Sequence, residues 1–524
     1  MRVELYDTTL RDGAQAPGLS YSVGDRLRIM HKLDALGVPY VEGGWPGANP
    51  RDTEFFRLAT KEKLDHAQLV AFGMTRRAGE KAEDSPTLRD LLDAGTETVC
   101  FVGKSWDLHV TEALRTDLVE GVAMVGDTVR FLRSQGRRVF FDAEHFFDGY
   151  RANPPYALRV LAAAEEAGAE RLILCDTNGG SLPAEVARVV TEVRGRTGVP
   201  LGIHAHNDAG CAVASSLAAV EAGVLQVQGV VNGYGERTGN ADLIPIIGDL
   251  TLKLGIDCLP EGAVERLTEV AHFIAEVANV PPDPRQPYAG RFAFTHKAGL
   301  HSSGISRLTE AYEHIAPEVV GNHRGVVASD LGGAATLRMK AAEFGLELHQ
   351  AAIAGLLSEL KEREARGYTF EVADASLELL MRRHDGWQQP FFEIESFRVH
   401  VERRPGDDET LAEATVKVLT NGSRHIESAE GQGPVGALDN ALRKALANGY
   451  PELEHITLED YRVRVLDETV GTGATVRVLI DTSNGQREWT TVGVSENIIE
   501  ASWEALTDSL LYGLLHPRDD LQGE

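Results

Sequence analysis

Val3-Glu-Leu-Tyr-Asp-Thr-Thr-Leu-Arg-Asp-Gly13 opens the chain with a short strand pattern, Val3 to Tyr6, that runs straight into a polar turn. That turn decides between two folds. A doubly wound open sheet normally carries a glycine-rich phosphate loop after its first strand, and the turn Asp7–Gly13 has none. Downstream, apolar runs recur at Tyr40–Glu42, Leu69–Phe72, Val99–Val102, Val139–Asp142, Arg171–Cys175, Leu201–His204 and Val227–Val231. Helical stretches such as Pro155–Ala167 and Ala209–Ala222 separate them. Gly37, Gly95, Gly136, Gly168, Gly198 and Gly223 stand where a left-handed helix stop is expected. Eight β-α units in about 250 residues are the pattern of an α/β TIM (β/α)8 barrel.

The polar residues follow the strands. Asp7, Arg11 and Asp12 come after the first, Glu42 ends the second and Glu144 follows the fifth. Asp176 and Thr177 end the sixth, His204 and His206 the seventh, and Asn232, Glu236 and Asn240 follow the eighth. A barrel opens all these carboxyl ends onto one catalytic face. His204 and His206 are i and i+2 on a strand and so share a face. Two converging neutral imidazoles make half of a divalent-metal site, and Asp12 adds a carboxylate. Taken singly, each residue reads better as a helix cap or surface charge; the coincidence of Asp12, His204 and His206 carries the metal reading. Such an N/O set suits Mg, Mn, Zn or Co with positions left open for substrate oxygens. The ion would act as a Lewis acid on a carbonyl, and a 2-oxo acid would chelate it through its keto and carboxylate oxygens. Arg11 adds a permanent cation beside a developing enolate or alkoxide.

Composition narrows the class. At 524 residues two or three domains are expected. A net charge of −27 argues against a nucleic-acid partner. The four cysteines show no paired spacing, no signal peptide precedes Val3 and no apolar run is long enough to span a bilayer. A cytoplasmic protein with no membrane partner is expected.

The stretches Asp7–Gly13, His204-Ala-His-Asn-Asp208 and Asn232-Gly-Tyr-Gly-Glu-Arg-Thr-Gly-Asn240 together resemble the DRE-TIM metallolyases. More narrowly they are similar to the 2-isopropylmalate, homocitrate and citramalate synthase family. Glu42-Gly-Gly-Trp-Pro-Gly-Ala-Asn-Pro-Arg-Asp52 and Phe141-Asp-Ala-Glu-His-Phe-Phe-Asp-Gly-Tyr150 look most like the citramalate branch. The resemblance implies that Asp12, His204 and His206 hold the metal, with Asn240 at or near it. It implies that Arg11 polarises the thioester or keto oxygen and that Glu144 orders water at the metal or a proton path. Thr177 would touch the acceptor's carboxylate, with Asp7 and Glu42 as further substrate contacts. The implied reaction is a Claisen-type condensation of acetyl-CoA with pyruvate to citramalate and CoA, the first step of a threonine-independent isoleucine route. A 2-isopropylmalate synthase, with 2-oxoisovalerate as acceptor, and a non-catalytic amino-acid sensor are the alternatives. Bulky Trp45, if it points inward, would favour a small acceptor.

Three segments are expected: residues 1–258 as the barrel, 259–388 as helical lid and linker subdomains, and 389–524 as a C-terminal α+β domain. In the second, His296-Lys-Ala-Gly-Leu-His-Ser-Ser303 and Tyr312 resemble the family's lid. His301 and Tyr312 would serve as catalytic groups reaching a neighbouring subunit, which implies a homodimer. The third holds an internal repeat: Thr415–Leu419 recurs as Thr475–Leu479, and Gly433 recurs as Gly493 at the same offset. In the family such a domain binds the pathway end product, so feedback regulation with isoleucine as effector is expected. A dimerisation module without a ligand is the plainer reading.

Overall fold

Eight of the apolar runs become eight parallel strands: β1 Glu4–Asp7, β2 Tyr40–Gly44, β3 Gln68–Met74, β4 Thr98–Lys104, β5 Arg138–Glu144, β6 Arg171–Asp176, β7 Leu201–Ala205 and β8 Gln226–Gly229. Each pairs with the next, and β1 pairs with β8, so the sheet closes into the expected barrel. This is a computed structural model, and it describes residues 2–296, 308, 312–326, 334–388, 391–403, 411–466 and 473–518. The chain divides into two compact units, Met1–Phe294 with Ile315–Arg324, and Thr295–His314 with Gly325–Glu524.

Strand alternation sorts the barrel residues into two cores. Inside lie Tyr6, Tyr40, Val70, Phe72, Cys100, Phe140, Ile173 and Cys175. Outside, Leu5, Val41, Val99, Phe141 and Leu172 pack against the helices. The helices carry their own boundary signals. Val23–Leu36 starts with a reciprocal Ser22–Asp25 capping box and stops at Gly37, φ 93°. Pro154–Ala167 is capped by the Asn153 side chain and stops at Gly168, φ 99°. Gly198 is not a helix stop: Pro183–Arg194 ends earlier, at Gly195 with φ −71°. The eighth strand is also shorter than expected. It ends at Gly229, because Val231–Gly233 turns and Asn232 takes φ 65°.

In the second unit, helices Ala334–Glu343 and Gln350–Ala365 precede helix Asp374–His384. Two three-stranded antiparallel sheets follow, β9 Phe392–Glu402, β10 Leu411–Thr420 and β11 Ser423–Gly431, then β12 Thr457–Val465, β13 Val476–Ser483 and β14 Glu488–Ser495. A helix follows each sheet, Pro434–Leu446 and Ile498–Leu515. The repeat is therefore a duplicated βββα unit whose middle strands hold Val416 and Val478. Both valines are buried in one core with Leu442 and Leu506. The two copies differ in one respect: Leu377, Leu380 and Met381 of helix Asp374–His384 pack on Val492 and Val494, the other face of the second sheet.

The glycine that lets each helix approach its sheet is Gly493 in the second copy and Gly431, not Gly433, in the first. A Cβ on Gly493 would sit 2.0 Å from the Ala501 carbonyl oxygen, and one on Gly431 would sit 2.3 Å from Ala437 N, whereas one on Gly433 meets nothing. Gly493→Ala should therefore force helix and strand apart at a cost of about 1–3 kcal/mol or more. The expected result is a lower thermal unfolding midpoint for the C-terminal unit, while Gly433→Ala, which only weakens the cap of helix Pro434–Leu446, lowers it less.

Candidate metal centre

Three polar side chains meet at the carboxyl end of the barrel. Asp12, His204 and His206 are all buried and each offers a ligand atom within 4.8 Å of the others. His204 is the last inward residue of β7, and His206 follows on the same side. Backbone bonds tie the second imidazole down: His206 N donates to Asp176 O, and residue 206 bridges residue 240. Asp12 reaches the same point from the turn after β1, which is pinned to β8 through Thr8 N and Gly229 O. The resulting distances are 3.2 Å from His204 Nε2 to Asp12 Oδ2, 3.9 Å from His206 Nε2 to the same oxygen, and 3.2 Å between the two Nε2 atoms.

Asn240 completes the rim. Its Nδ2 donates to the Tyr234 carbonyl, but its buried Oδ1 has no hydrogen-bond partner among the described residues. An amide oxygen on a residue bridged to His206 suits the N/O donor set of a divalent ion. The loop that delivers it needs glycine at 239, where φ is 88° and a Cβ would sit 1.9 Å from Gly233 O.

Charge is arranged around this point. Arg11 pairs with Asp12 at 3.2 Å and with Glu42, and its guanidinium lies 3.9 Å above the Phe72 ring, a contact of about 0.5–2 kcal/mol. Burial works against the Asp12 carboxylate. Arg11, and after it His204, outweigh burial and hold Asp12 well below the usual carboxylate range. Burial, and then the neighbouring His204, push His206 down to about 3. A neutral His206 has its lone pair free for a metal.

The centre opens into a cavity of about 210 Å³ lined by Arg11, Asp12, His204, His206, Glu144 and Thr177 together with Trp45, Phe72, Val102 and Cys175. Trp45 does face inward, its ring edge-on to Phe72 at 5.6 Å. Glu144 pairs with Lys104. Thr177 Oγ1 accepts from His145 N at 2.9 Å. Glu42 lies beneath the cavity, fully buried between Tyr6 and Arg11, and does not line it.

The structure does not bring Asp7 to the cavity. It is one residue past inward-facing Tyr6, and its carboxylate accepts from Thr9 N at 2.9 Å and Thr9 Oγ1 at 2.8 Å. His301 lies outside the described residues. Tyr312 belongs to the second unit and is 39% exposed there. Two buried residues that the sequence did not single out adjoin the metal ligands: Gln228 on β8, bonded to His204, and Asp142 on β5, which also lines the cavity. Asp142 was visible only as a carboxylate ending an otherwise apolar run.

The first 2–274 residues match the HMGL-like family model, 289–367 the homocitrate synthase post-HMGL domain-like model, and 371–514 the LeuA allosteric (dimerisation) domain. A protein named (R)-citramalate synthase from Streptomyces coelicolor is 53% identical, covering 98% of this chain and 96% of its own. One of the same name from Synechocystis is 51% identical over 97% and 96%, and one from Aquifex aeolicus 49% identical over 99% of each.

Two outcomes are expected of this geometry. Asp12→Asn and His206→Ala should each lose divalent-metal binding in a Mn²⁺ titration while keeping the thermal unfolding of the parent; Mn²⁺ binding at parental strength would remove them as ligands. Asp7 gives a pH effect. Burial, against the Thr9 hydrogen bonds, pushes its carboxyl from 3.8 up to about 7. Between those values the folded state keeps a proton that the unfolded chain has released, so this group costs stability as pH rises. Asp7→Asn should flatten the fall in unfolding midpoint over that window; parallel curves would show that Asp7 is ionised in the folded protein.

Proposed function

The chain belongs to the HMGL-like family, in its (R)-citramalate synthase branch, and on that premise we propose that it condenses acetyl-CoA with pyruvate to give citramalate and CoA. The observation that carries this reading is the convergence of Asp12, His204 and His206 on a small cavity that Arg11 also lines, with the Asn240 side chain on a residue bridged to His206.

A divalent ion held there supplies a Lewis acid that draws electrons from the acceptor's keto group. The chain's own residues then have these roles. Arg11 is locked by Glu42 and Asp12, so it meets the oxygen on which negative charge develops without first having to reorganise. Thr177 Oγ1 already accepts a bond from His145 N, which leaves its hydroxyl proton to donate to the acceptor's carboxylate. Glu144, oriented by Lys104, lines the cavity where it can take up or pass on a proton. His301 and Tyr312 are proposed proton donors from the lid, and Glu42 is a positioning residue for Arg11. In the reaction the acetyl methyl loses a proton and its carbon bonds to the keto carbon. The keto oxygen becomes a hydroxyl, and hydrolysis of the thioester releases CoA.

The LeuA allosteric (dimerisation) match over the duplicated C-terminal unit supports a homodimer, with isoleucine as the proposed effector that slows the enzyme. Among the described residues no helix is long and apolar enough to cross a membrane.

The test is CoA release from acetyl-CoA with Mn²⁺ and pyruvate, 2-oxobutanoate or 2-oxoisovalerate offered separately. Release should be fastest with pyruvate and fall on adding isoleucine. Preference for 2-oxoisovalerate would move the chain to the 2-isopropylmalate synthases, and no release would favour the sensor. Trp45 and Phe72 narrow the cavity, and a hydrophobic wall of this kind discriminates by about 1–3 kcal/mol per methylene. Trp45→Ala should raise 2-oxoisovalerate activity relative to pyruvate by about tenfold or more. An unchanged ratio would remove Trp45 from acceptor choice.

A further inference from the structure

His204 meets the metal point through Nε2, and which of its two nitrogens carries the proton decides whether that atom can ligate at all. Its other nitrogen, Nδ1, lies 2.8 Å from Gln228 Oε1. Gln228 is fully buried on β8, inside the barrel and away from water. Its amide could in principle point either way, since oxygen and nitrogen are distinguished only by their partners. The partner on the far side is Asp142, on β5. Asp142 Oδ1 accepts from Gln228 Nε2 at 3.0 Å and from Cys100 Sγ at 3.2 Å. The Cys100 bond does not depend on the amide orientation, and an oxygen that accepts that S–H has no proton to offer Gln228. Gln228 must therefore turn its N–H groups toward Asp142 and its carbonyl toward His204.

A carbonyl oxygen only accepts. In the neutral ring that ligates a metal, His204 Nδ1 must then hold the single proton, and the lone pair is left on Nε2, the atom 3.2 Å from Asp12 Oδ2 and 3.2 Å from His206 Nε2. His206 shows no such device among the described residues, where its buried Nδ1 meets no hydrogen-bond partner. We propose that Asp142 and Gln228 are positioning residues that fix the amide orientation of Gln228 and thereby select the Nδ1–H tautomer of His204 that ligates the metal. This deepens the metal-centre reading and rests on it.

The test is a calorimetric Mn²⁺ titration of the full-length protein and three variants, with thermal unfolding followed alongside. Asp142→Asn offers N–H groups as well as oxygen, so Gln228 can turn over and donate to His204. Gln228→Leu keeps the approximate size and removes the acceptor. Both should raise the Mn²⁺ dissociation constant by about 10–100-fold. Gln228→Glu, protonated on the side of Asp142, still accepts from His204 and should stay within a few-fold of the parent. Parental affinity in both Asp142→Asn and Gln228→Leu would overturn the proposal. Equal loss in Gln228→Glu and Gln228→Leu would overturn it too, because packing rather than the acceptor would then be at work. If Gln228→Leu does not fold, the contrast between Asp142→Asn and Gln228→Glu decides. A parent that binds no Mn²⁺ would overturn the metal centre itself and this role with it.

Discussion

Everything at the catalytic end depends on the pairing of β1 with β8. Asp7 lies beside Gly229 in that ladder, and Thr8 N continues it onto the Gly229 carbonyl. Without this seam the turn that carries Arg11 and Asp12 would belong to the edge of an open sheet, far from β7. With it, a carboxylate from the first fifteen residues stands 3.2 Å from an imidazole near the end of the barrel sequence. The local His-x-His pair thus receives its carboxylate ligand through closure of the sheet.

The buried charges around that point are a poor way to stabilise a fold. Arg11, Asp12 and Glu42 are largely removed from water, and replacing such a cluster with apolar side chains is often neutral or stabilising. Its value lies in fixing one cation and one anion in place before substrate arrives. The aromatic layer beneath, Tyr6, Tyr40 and Phe140, holds that arrangement from below, and the Tyr6 hydroxyl bonds Glu42.

Much of this was legible in the sequence. The barrel follows from eight apolar runs and the missing phosphate loop, and the His-x-His pair follows from strand alternation. Alternation also explains where a reading by strand ends alone goes astray. Asp7 sits one residue past Tyr6 and so leaves the interior, whereas Glu42, two residues past Tyr40, stays inside. Gln228 and Asp142 were not legible because their partnership spans 86 residues of chain and is set by barrel geometry. In a strand pattern each looks like an ordinary polar interruption. The repeat was visible in its middle strands, but not the glycine at the helix approach of the first copy, because contact with a helix backbone leaves no mark in a one-dimensional offset.

The barrel interior is closed below the metal point by Tyr6, Val70, Cys100, Phe140 and Ile173, all fully buried. Among the described residues that layer shuts the lower side, so the cavity opens at the carboxyl end of the barrel. A cavity of about 210 Å³ suits a small 2-oxo acid and is far too small for the whole acyl carrier. The condensation then brings only the acetyl end of the thioester to the metal point and leaves the rest of the carrier outside the barrel.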